Sequence, residues 1–362
     1  MTRSRGRVGP LATTDSAEPT LDVDVLLDDP HTGIIVCCGA GGVGKTTTSA
    51  ALALRAAERG RKVVVLTIDP ARRLAQSMGI EALDNTPRPV QGVESTGPGA
   101  GGGLDAMMLD MKRTFDEVVE SQASPEKAKQ ILENPFYQAL SSSFAGTQEY
   151  MAMEKLGQIH RDARRDGTYD LIVVDTPPSR SALDFLDAPE RLSSFLDGRF
   201  IRLLLAPARG PAKVMTAGLS LITNALTKIL GAQVLRDMQT FVAAFDTLFG
   251  GFRQRAQKTF ELLQADGTAF LVVAAPEPDA MREAAYFVER LSEDRMPLAG
   301  LIVNRASPAA QGTLSADEAM TAAARLRKQE PGSLTAGLLR LHADRARMVE
   351  RESLLRDRFA AA

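Results

Sequence analysis

The feature that most constrains this chain is the glycine-rich sequence GAGGVGKT at residues 39–46. It matches the phosphate-loop pattern G-x-x-x-x-G-K-[ST], in which glycines let backbone N–H groups converge on phosphate oxygens. An apolar run at residues 34–38 precedes the loop, and a helical pattern at residues 45–59 follows it, closed by Gly60. This strand–loop–helix order predicts a phosphate site where the helix N-terminus adds a partial positive charge.

Phosphate-loop chemistry assigns expected roles to individual residues. Lys45 is expected to bridge the β- and γ-phosphates, and Thr46 to place its hydroxyl on Mg²⁺. The residues predicted to contact the nucleotide along the loop and the helix start are Gly39, Ala40, Gly41, Gly42, Val43, Gly44, Lys45, Thr46 and Thr47.

Short runs of branched apolar residues, separated by helical patterns, predict the rest of the fold. They lie at residues 34–38, 63–68, 171–174, 270–275 and 298–303, with a weaker one at 104–109. Such runs are typical of strands buried on both faces, so we expect an α/β fold with a doubly wound, mostly parallel sheet flanked by helices. The predicted organisation is a flexible leader at 1–30, with a short helix near 21–27, a phosphate-loop domain at 31–188 and 267–362, and an all-helical insertion at 189–266.

Two aspartates follow predicted strands and are candidates for the chemistry. Asp175 ends the run at 171–174, where a carboxylate can hold the magnesium ion through water; the alternative is a simple capping residue. Asp69 ends the run at 63–68 and is followed by Pro70, so it can orient the attacking water near the γ-phosphate. A turn-forming aspartate is the alternative for Asp69.

Composition excludes several classes of protein. The 362 residues carry a formal net charge of -2, which provides no global positive field for nucleic acid. The two cysteines, Cys37 and Cys38, are adjacent in a predicted buried strand, so they can form neither a disulfide framework nor a CxxC zinc site and favour packing roles. There is no secretory signal pattern and no apolar stretch of about 20 residues. We therefore expect a cytoplasmic protein.

An apolar stripe at helical spacing marks the predicted insertion, and its members are Met215, Leu219, Ile222, Leu226 and Ile229. One interpretation is a surface that binds a hydrophobic client. The other is that the stripe packs inside the insertion's own core.

Four motifs in this order resemble the ArsA/GET ATPases, which carry a deviant Walker A loop. They are the loop with Thr47 and Thr48 behind it, the segment DPA at 69–71, the segment DTPP at 175–178 and the segment IVN at 302–304. The resemblance covers roughly residues 34–304 and looks closest to actinobacterial GET-like ATPases that occur as paralogous pairs. It implies that Asp69 polarises the hydrolytic water, that Asp175 heads the second switch segment, and that Asn304 hydrogen-bonds adenine, which makes the nucleotide ATP. From the residues alone, a strand-end turn former is the preferred interpretation of Asn304.

Departures from the family pattern bear on the partner. The family's loop carries a second lysine where this chain has Ala40, and that lysine reaches the partner subunit's phosphates. We therefore expect a dimer with a lysine-bearing paralogue. The family's zinc bridge and metalloid site need cysteines that this chain lacks, so zinc and arsenite pumping are both disfavoured.

Three functions remain open from the sequence. The favoured one is a Mg²⁺-dependent ATPase dimer whose nucleotide state controls the insertion around a hydrophobic client or membrane-protein partner, which would place it peripherally at a membrane. A second is a regulatory subunit that binds nucleotide with little turnover, paired with a catalytic paralogue. A partition-type ATPase is the third, but no basic DNA-binding face or terminal amphipathic helix is evident.

Overall fold

The computed structural model describes residues 20–69, 73–93, 101–135, 137–138, 147–177, 251, 254–308 and 314–361. The helices are α1 Val23–Asp28, α2 Lys45–Glu58, α3 Arg73–Ser77, α4 Met111–Gln122, α5 Pro125–Leu132, α6 Thr147–Asp166, α7 Pro278–Glu293, α8 Ala316–Gln329 and α9 Leu334–Ala360. The strands are β1 Ile34–Gly39, β2 Lys62–Thr67, β3 Arg88–Pro89, β4 Gly103–Met108, β5 Leu171–Asp175, β6 Thr268–Ala274 and β7 Leu298–Val303. Residues 254–263 are helical as well.

The strands form one sheet in the order β3-β4-β2-β5-β1-β6-β7. All neighbours are parallel except β3 and β4, which are antiparallel. This confirms the predicted α/β fold with a mostly parallel sheet and all six predicted strands. The seventh, β3, was not predicted because its two exposed residues, Arg88 and Pro89, carry no apolar pattern.

The sheet is buried on both faces, as continuous apolar strands require. In β1, Ile34, Val36 and Cys38 belong to one core and Ile35 and Cys37 to the other. Helices α4, α6 and α7 cover the first face, and α1, α2 and α3 cover the second. Strand β1 lies between β5 and β6, so the loop that follows it opens near the middle of the sheet.

Helix α1 lies in the stretch that the sequence assigned to the leader, and it packs on α2. Leu27 is fully buried, and Asp24 accepts a hydrogen bond from Arg55 at 2.8 Å. The buried guanidinium of Arg61 donates to the Leu27 carbonyl at 3.1 Å and to the Asp170 carboxylate at 2.9 Å. From residue 20 onward, the stretch assigned to the leader is therefore packed on the domain.

The predicted insertion is described only near its C-terminal boundary, at residues 251 and 254–266. There, Ala256 and Leu263 are fully buried in the core that contains α6. The Arg255 Nε donates to both carboxylate oxygens of Glu154 on α6, at 2.8 and 2.9 Å. This end of the predicted insertion is thus held against the sheet's helical layer. The stripe residues Met215, Leu219, Ile222, Leu226 and Ile229 lie outside the described residues.

None of the helices that the structure describes is both long enough and apolar enough to cross a membrane.

Gly39 ends β1 where a side chain has no room. Its φ is 144°, and a Cβ there would lie 2.0 Å from the Val273 carbonyl oxygen on β6. Gly79 also has a positive φ, 66°, but open space around its Cβ position. We expect Gly39→Ala to lower the free energy of unfolding by about 3 kcal/mol, and Gly79→Ala by about 1 kcal/mol from backbone strain alone. Urea denaturation measures both losses, and equal losses would contradict the steric explanation.

Candidate nucleotide-binding site

A cleft of about 480 Å³ opens where the carboxyl ends of the parallel strands meet. The loop after β1, the segment after β2, Thr176 after β5 and Arg305 after β7 converge there. The cleft is lined by Gly42, Gly44, Lys45, Thr46, Thr47, Asp69, Arg73, Gln76, Ser77, Thr176 and Arg305.

The phosphate loop is held in shape by two glycines and one asparagine. Gly42 and Gly44 have φ values of 75° and 98°, and Gly44 is the N-cap of α2. A Cβ on Gly44 would lie 2.2 Å from the side-chain nitrogen of Asn304. That nitrogen donates to the Val43 carbonyl at 2.8 Å, so the end of β7 braces the loop.

Lys45 lies under the loop with its ammonium group directed at backbone carbonyls. Its Nζ donates to the carbonyl oxygens of Gly39 at 2.8 Å and Ala40 at 2.7 Å. Burial lowers the pKa of this ammonium, and the negative charge of Asp175 opposes that shift. The lysine is thus already in the loop, where phosphate oxygens can replace or join the carbonyls as acceptors.

Asp175 is fully buried at the end of β5 and faces two threonines. Its Oδ2 accepts from the Thr46 and Thr67 hydroxyls, each at 2.9 Å. Burial raises the pKa of this carboxyl to about 6, although both threonine hydrogen bonds act to lower it. Its Oδ1 is buried with no hydrogen-bond partner among the described residues.

The side chains of Thr46 and Asp175 are together suited to hold a magnesium ion. Mg²⁺ prefers oxygen ligands and keeps several of its waters, and the Thr46 hydroxyl and the Asp175 carboxylate supply oxygens beside the phosphate loop. The unpartnered Oδ1 of Asp175 gives such a hydrated ion a buried acceptor. The residues present therefore fit the ion.

Asp69 lies at the wall of the same cleft, in the segment that follows β2. It is 5% exposed, and its backbone N–H donates to the Thr67 hydroxyl at 3.2 Å. One guanidinium nitrogen of Arg73 lies 3.4 Å from Asp69 Oδ2. The carboxylate is thus near the predicted phosphate site, where it could orient a water molecule.

The structure brings the predicted site residues together, but only some of them line the cleft. Lys45, Thr46, Thr47 and Asp69 line the cleft with the glycines Gly42 and Gly44. The others lie behind or beside its wall: Gly39, Ala40, Gly41, Val43, Asp175 and Asn304. Among these, Ala40 and Val43 are buried and use their carbonyl oxygens to anchor Lys45 and Asn304.

Comparison with known proteins identifies the family. A family model described as anion-transporting ATPase matches residues 32–330, which is most of the chain. The chain belongs to the anion-transporting ATPase family.

Three relatives match different lengths of the chain. The ATPase GET3 of Malassezia globosa is 29% identical over 184 residues, which are 51% of this chain and 50% of that protein. An ATPase ASNA1 homolog of Cryptosporidium parvum is 26% identical over 267 residues, or 74% of this chain and 63% of that protein. The arsenical pump-driving ATPase of Acidiphilium multivorum is 30% identical over 161 residues, or 44% of this chain and 26% of that protein. The chain thus spans about a quarter to two thirds of the length of these three relatives.

Several site residues of this family member were not predicted from the sequence. Thr67 is one, although it is the last residue of β2 and pairs in register with Asp175. Arg73 and Arg305 are others, since each lines the cleft. The sequence does show a strand-end hydroxyl, a cation four residues after Asp69 and a cation next to Asn304, but only the strand order shows that they face the same space.

The two thiols of this family member are inside the sheet. Cys37 and Cys38 are fully buried, and burial raises the pKa of Cys37 to about 12 and that of Cys38 as well. We expect both to react with a thiol reagent at least about 100-fold more slowly in the native protein than in urea, because reaction needs an exposed thiolate. Titration with a chromogenic disulfide measures this. Rapid native labelling of either cysteine would contradict the packing role.

Proposed function

We propose that this chain binds ATP with Mg²⁺ and hydrolyses it. The observation that carries the proposal is the cluster of Lys45, Thr46 and Asp175 at the helix N-terminus, with Asp69 on the wall of the same cleft. Lys45 supplies positive charge to the β- and γ-phosphates, and Thr46 with Asp175 holds the metal. When bound, the ion neutralises charge on the phosphate oxygens.

The reaction would be a phosphoryl transfer to water. The water oxygen forms a bond to the γ-phosphorus while the bond from that phosphorus to the β–γ bridging oxygen breaks, giving ADP and inorganic phosphate. Asp69 orients the water by accepting one of its protons in a hydrogen bond, and the proton is finally carried by the phosphate product. Lys45 and the loop N–H groups stabilise the negative charge on the leaving ADP.

Asn304 is proposed to recognise the base, which makes ATP the nucleotide. Its side-chain nitrogen is engaged by the Val43 carbonyl, so its side-chain oxygen is the atom offered to the adenine amino group. The same residue would then both brace the loop and select the base.

We extend the proposal to the quaternary state of the protein and to its client. The dimer with a lysine-bearing paralogue follows from Ala40 in the family-like loop, and the hydrophobic client or membrane-protein partner follows from the stripe between Met215 and Ile229. Buried thiols at Cys37 and Cys38 argue against arsenite as the species handled, because soft metalloids need accessible thiolates. The site of action would be the cytoplasm, at the membrane only through a partner.

A matched pair of measurements tests the dimer and the client. If the homodimer hydrolyses ATP as fast as any mixture with the paralogue, the proposal that a lysine is supplied in trans is contradicted. Aspartate at Leu219 or Ile222 should remove client binding and leave hydrolysis intact, whereas loss of folding would instead place the stripe in a core.

A nucleotide-binding subunit with little turnover is the second candidate. It is favoured by the ion pair of Asp69 with Arg73, because a carboxylate held by a guanidinium is less available to water. Single-turnover hydrolysis of γ-labelled ATP, with excess protein and with or without Mg²⁺, separates the two functions. Magnesium-dependent release of labelled phosphate supports the ATPase, and bound but intact ATP supports the subunit without turnover.

A further inference from the structure

Arg73, the first residue of α3, reaches into the nucleotide cleft. Its side chain is 56% exposed, and its one ion pair among the described residues is the single 3.4 Å contact with Asp69. Elsewhere in the chain, Arg55 holds Asp24 with two hydrogen bonds at 3.0 and 2.8 Å. Compared with that bidentate pair, the contact between Arg73 and Asp69 is long and easily exchanged.

Charge interactions connect Arg73 to the phosphate loop. The positive charge of Arg73 lowers the pKa of Lys45, and the negative charge of Asp69 raises it, although burial and Asp175 have larger effects. Arg73, Asp69 and Lys45 therefore act on one another across the cleft. An anion that binds to Lys45 enters the field of the guanidinium as well.

The phosphate groups of a bound triphosphate would bring negative charge into this cleft, and cations of the protein would have to balance it. Lys45 is the one cation that the loop itself supplies, at the β- and γ-phosphate position. A guanidinium is planar and offers two parallel N–H groups, which match two oxygens of a terminal phosphate. Arg73 lies beside Asp69, on the side of the cleft where the attacking water is proposed.

We propose that Arg73 binds the γ-phosphate of ATP within the same chain, and that it leaves Asp69 when it does so. The inference rests on the proposed function and deepens it. ATP would thereby draw the guanidinium away from the carboxylate that orients water, whereas ADP, which has no γ-phosphate, would leave the ion pair in place. Binding of the substrate would then switch the site to its hydrolytic arrangement.

Among the described residues, Arg305 is the other arginine that lines the cleft, and it lies on a different side of the cleft from Asp69. It follows β7, whereas Asp69 follows β2, and the loop after β1 lies between these strands in the sheet. Its neighbour Asn304 is the residue proposed to contact adenine. Arg305 therefore belongs to the nucleoside side of the cleft, and Arg73 to the terminal-phosphate side.

Nucleotide affinities of the full chain test the inference. Calorimetry with Mg²⁺ and either a non-hydrolysable ATP analogue or ADP should show that wild type binds the analogue more tightly than ADP. We expect Arg73→Ala to weaken analogue binding about tenfold or more, because a charge-assisted hydrogen bond is lost, and to change ADP binding less than about twofold. Arg73→Lys should recover part of the loss by keeping the charge.

Control variants separate this effect from loss of an ion pair in general. Arg88 also pairs with an aspartate four residues before it, Asp84, and it does not line the cleft. We expect Arg88→Ala to leave both affinities unchanged. Retained ADP binding and an unchanged melting temperature in Arg73→Ala would show that the variant is folded.

Three outcomes overturn the inference. An unchanged ratio of analogue to ADP affinity in Arg73→Ala would do so, as would a loss that follows Arg305→Ala instead. A wild-type chain that binds neither nucleotide would refute the proposed function, and the inference with it. The first two outcomes leave the proposed function standing, so the two failures are distinguishable.

Discussion

Lys45→Ala is expected to lower kcat/KM for ATP about 100- to 1,000-fold, the loss typical of removing one charge-stabilising donor. Its ammonium is buried in the loop and already points at the carbonyl oxygens of Gly39 and Ala40. No other described lysine lines the cleft. Steady-state phosphate release and calorimetric ATP binding should fall together, because the side chain contacts phosphate both before and during the reaction.

A matched lysine elsewhere controls for loss of charge. Lys62 begins β2 with an exposed side chain, and its Nζ donates to the Gly167 carbonyl at 3.4 Å. Lys62→Ala should leave kcat/KM within about twofold of wild type, since an exposed contact contributes little. Comparable losses in the two variants would mean that Lys45 acts through general stability rather than through phosphate.

Asp69→Asn is expected to reduce the single-turnover rate of ATP hydrolysis about 100- to 1,000-fold, while ATP binds at least as tightly as to wild type. An uncharged amide is a weaker hydrogen-bond acceptor for the attacking water than a carboxylate, and groups that act on the reacting proton contribute on this scale. Binding is preserved because the substitution removes a negative charge from the phosphate cleft. Rapid-quench measurements at saturating protein and equilibrium binding give the two quantities separately.

The control for Asp69 is the exposed aspartate Asp84, whose carboxylate pairs with Arg88 outside the cleft. Asp84→Asn should hydrolyse ATP at the wild-type rate. If wild type and Asp69→Asn hydrolyse ATP equally slowly, the chain is a nucleotide-binding subunit and the catalytic role of Asp69 is refuted. If Asp69→Asn also loses ATP, the carboxylate supports the fold of the site instead.

Local motifs predicted the parts of the site that depend on neighbours in sequence. The loop from Gly39 to Thr46 and the strand ends at Asp69 and Asp175 were found because glycines, apolar runs and acids each have a short-range signal. Apolar runs also predicted six strands, since residues buried on both faces leave an uninterrupted pattern.

Contacts between distant segments could not be predicted in this way. Thr67 meets Asp175 because β2 and β5 are adjacent in register, although 108 positions separate the two residues in sequence. Arg73 and Arg305 face one cleft only because their strands lie on either side of β1. Strand β3 is too short for any pattern. The order of the strands is set by the packing of the whole sheet, and a local sequence motif carries no information about that packing.

The brace between Asn304 and the loop has a consequence for how fast nucleotide binds. The Val43 carbonyl is held by Asn304, at the end of β7, before any ligand arrives, so the entropy of ordering this part of the loop is lost during folding rather than on binding. Nucleotide entry then needs no slow rearrangement of the loop. Association should follow a single exponential whose rate rises linearly with nucleotide concentration.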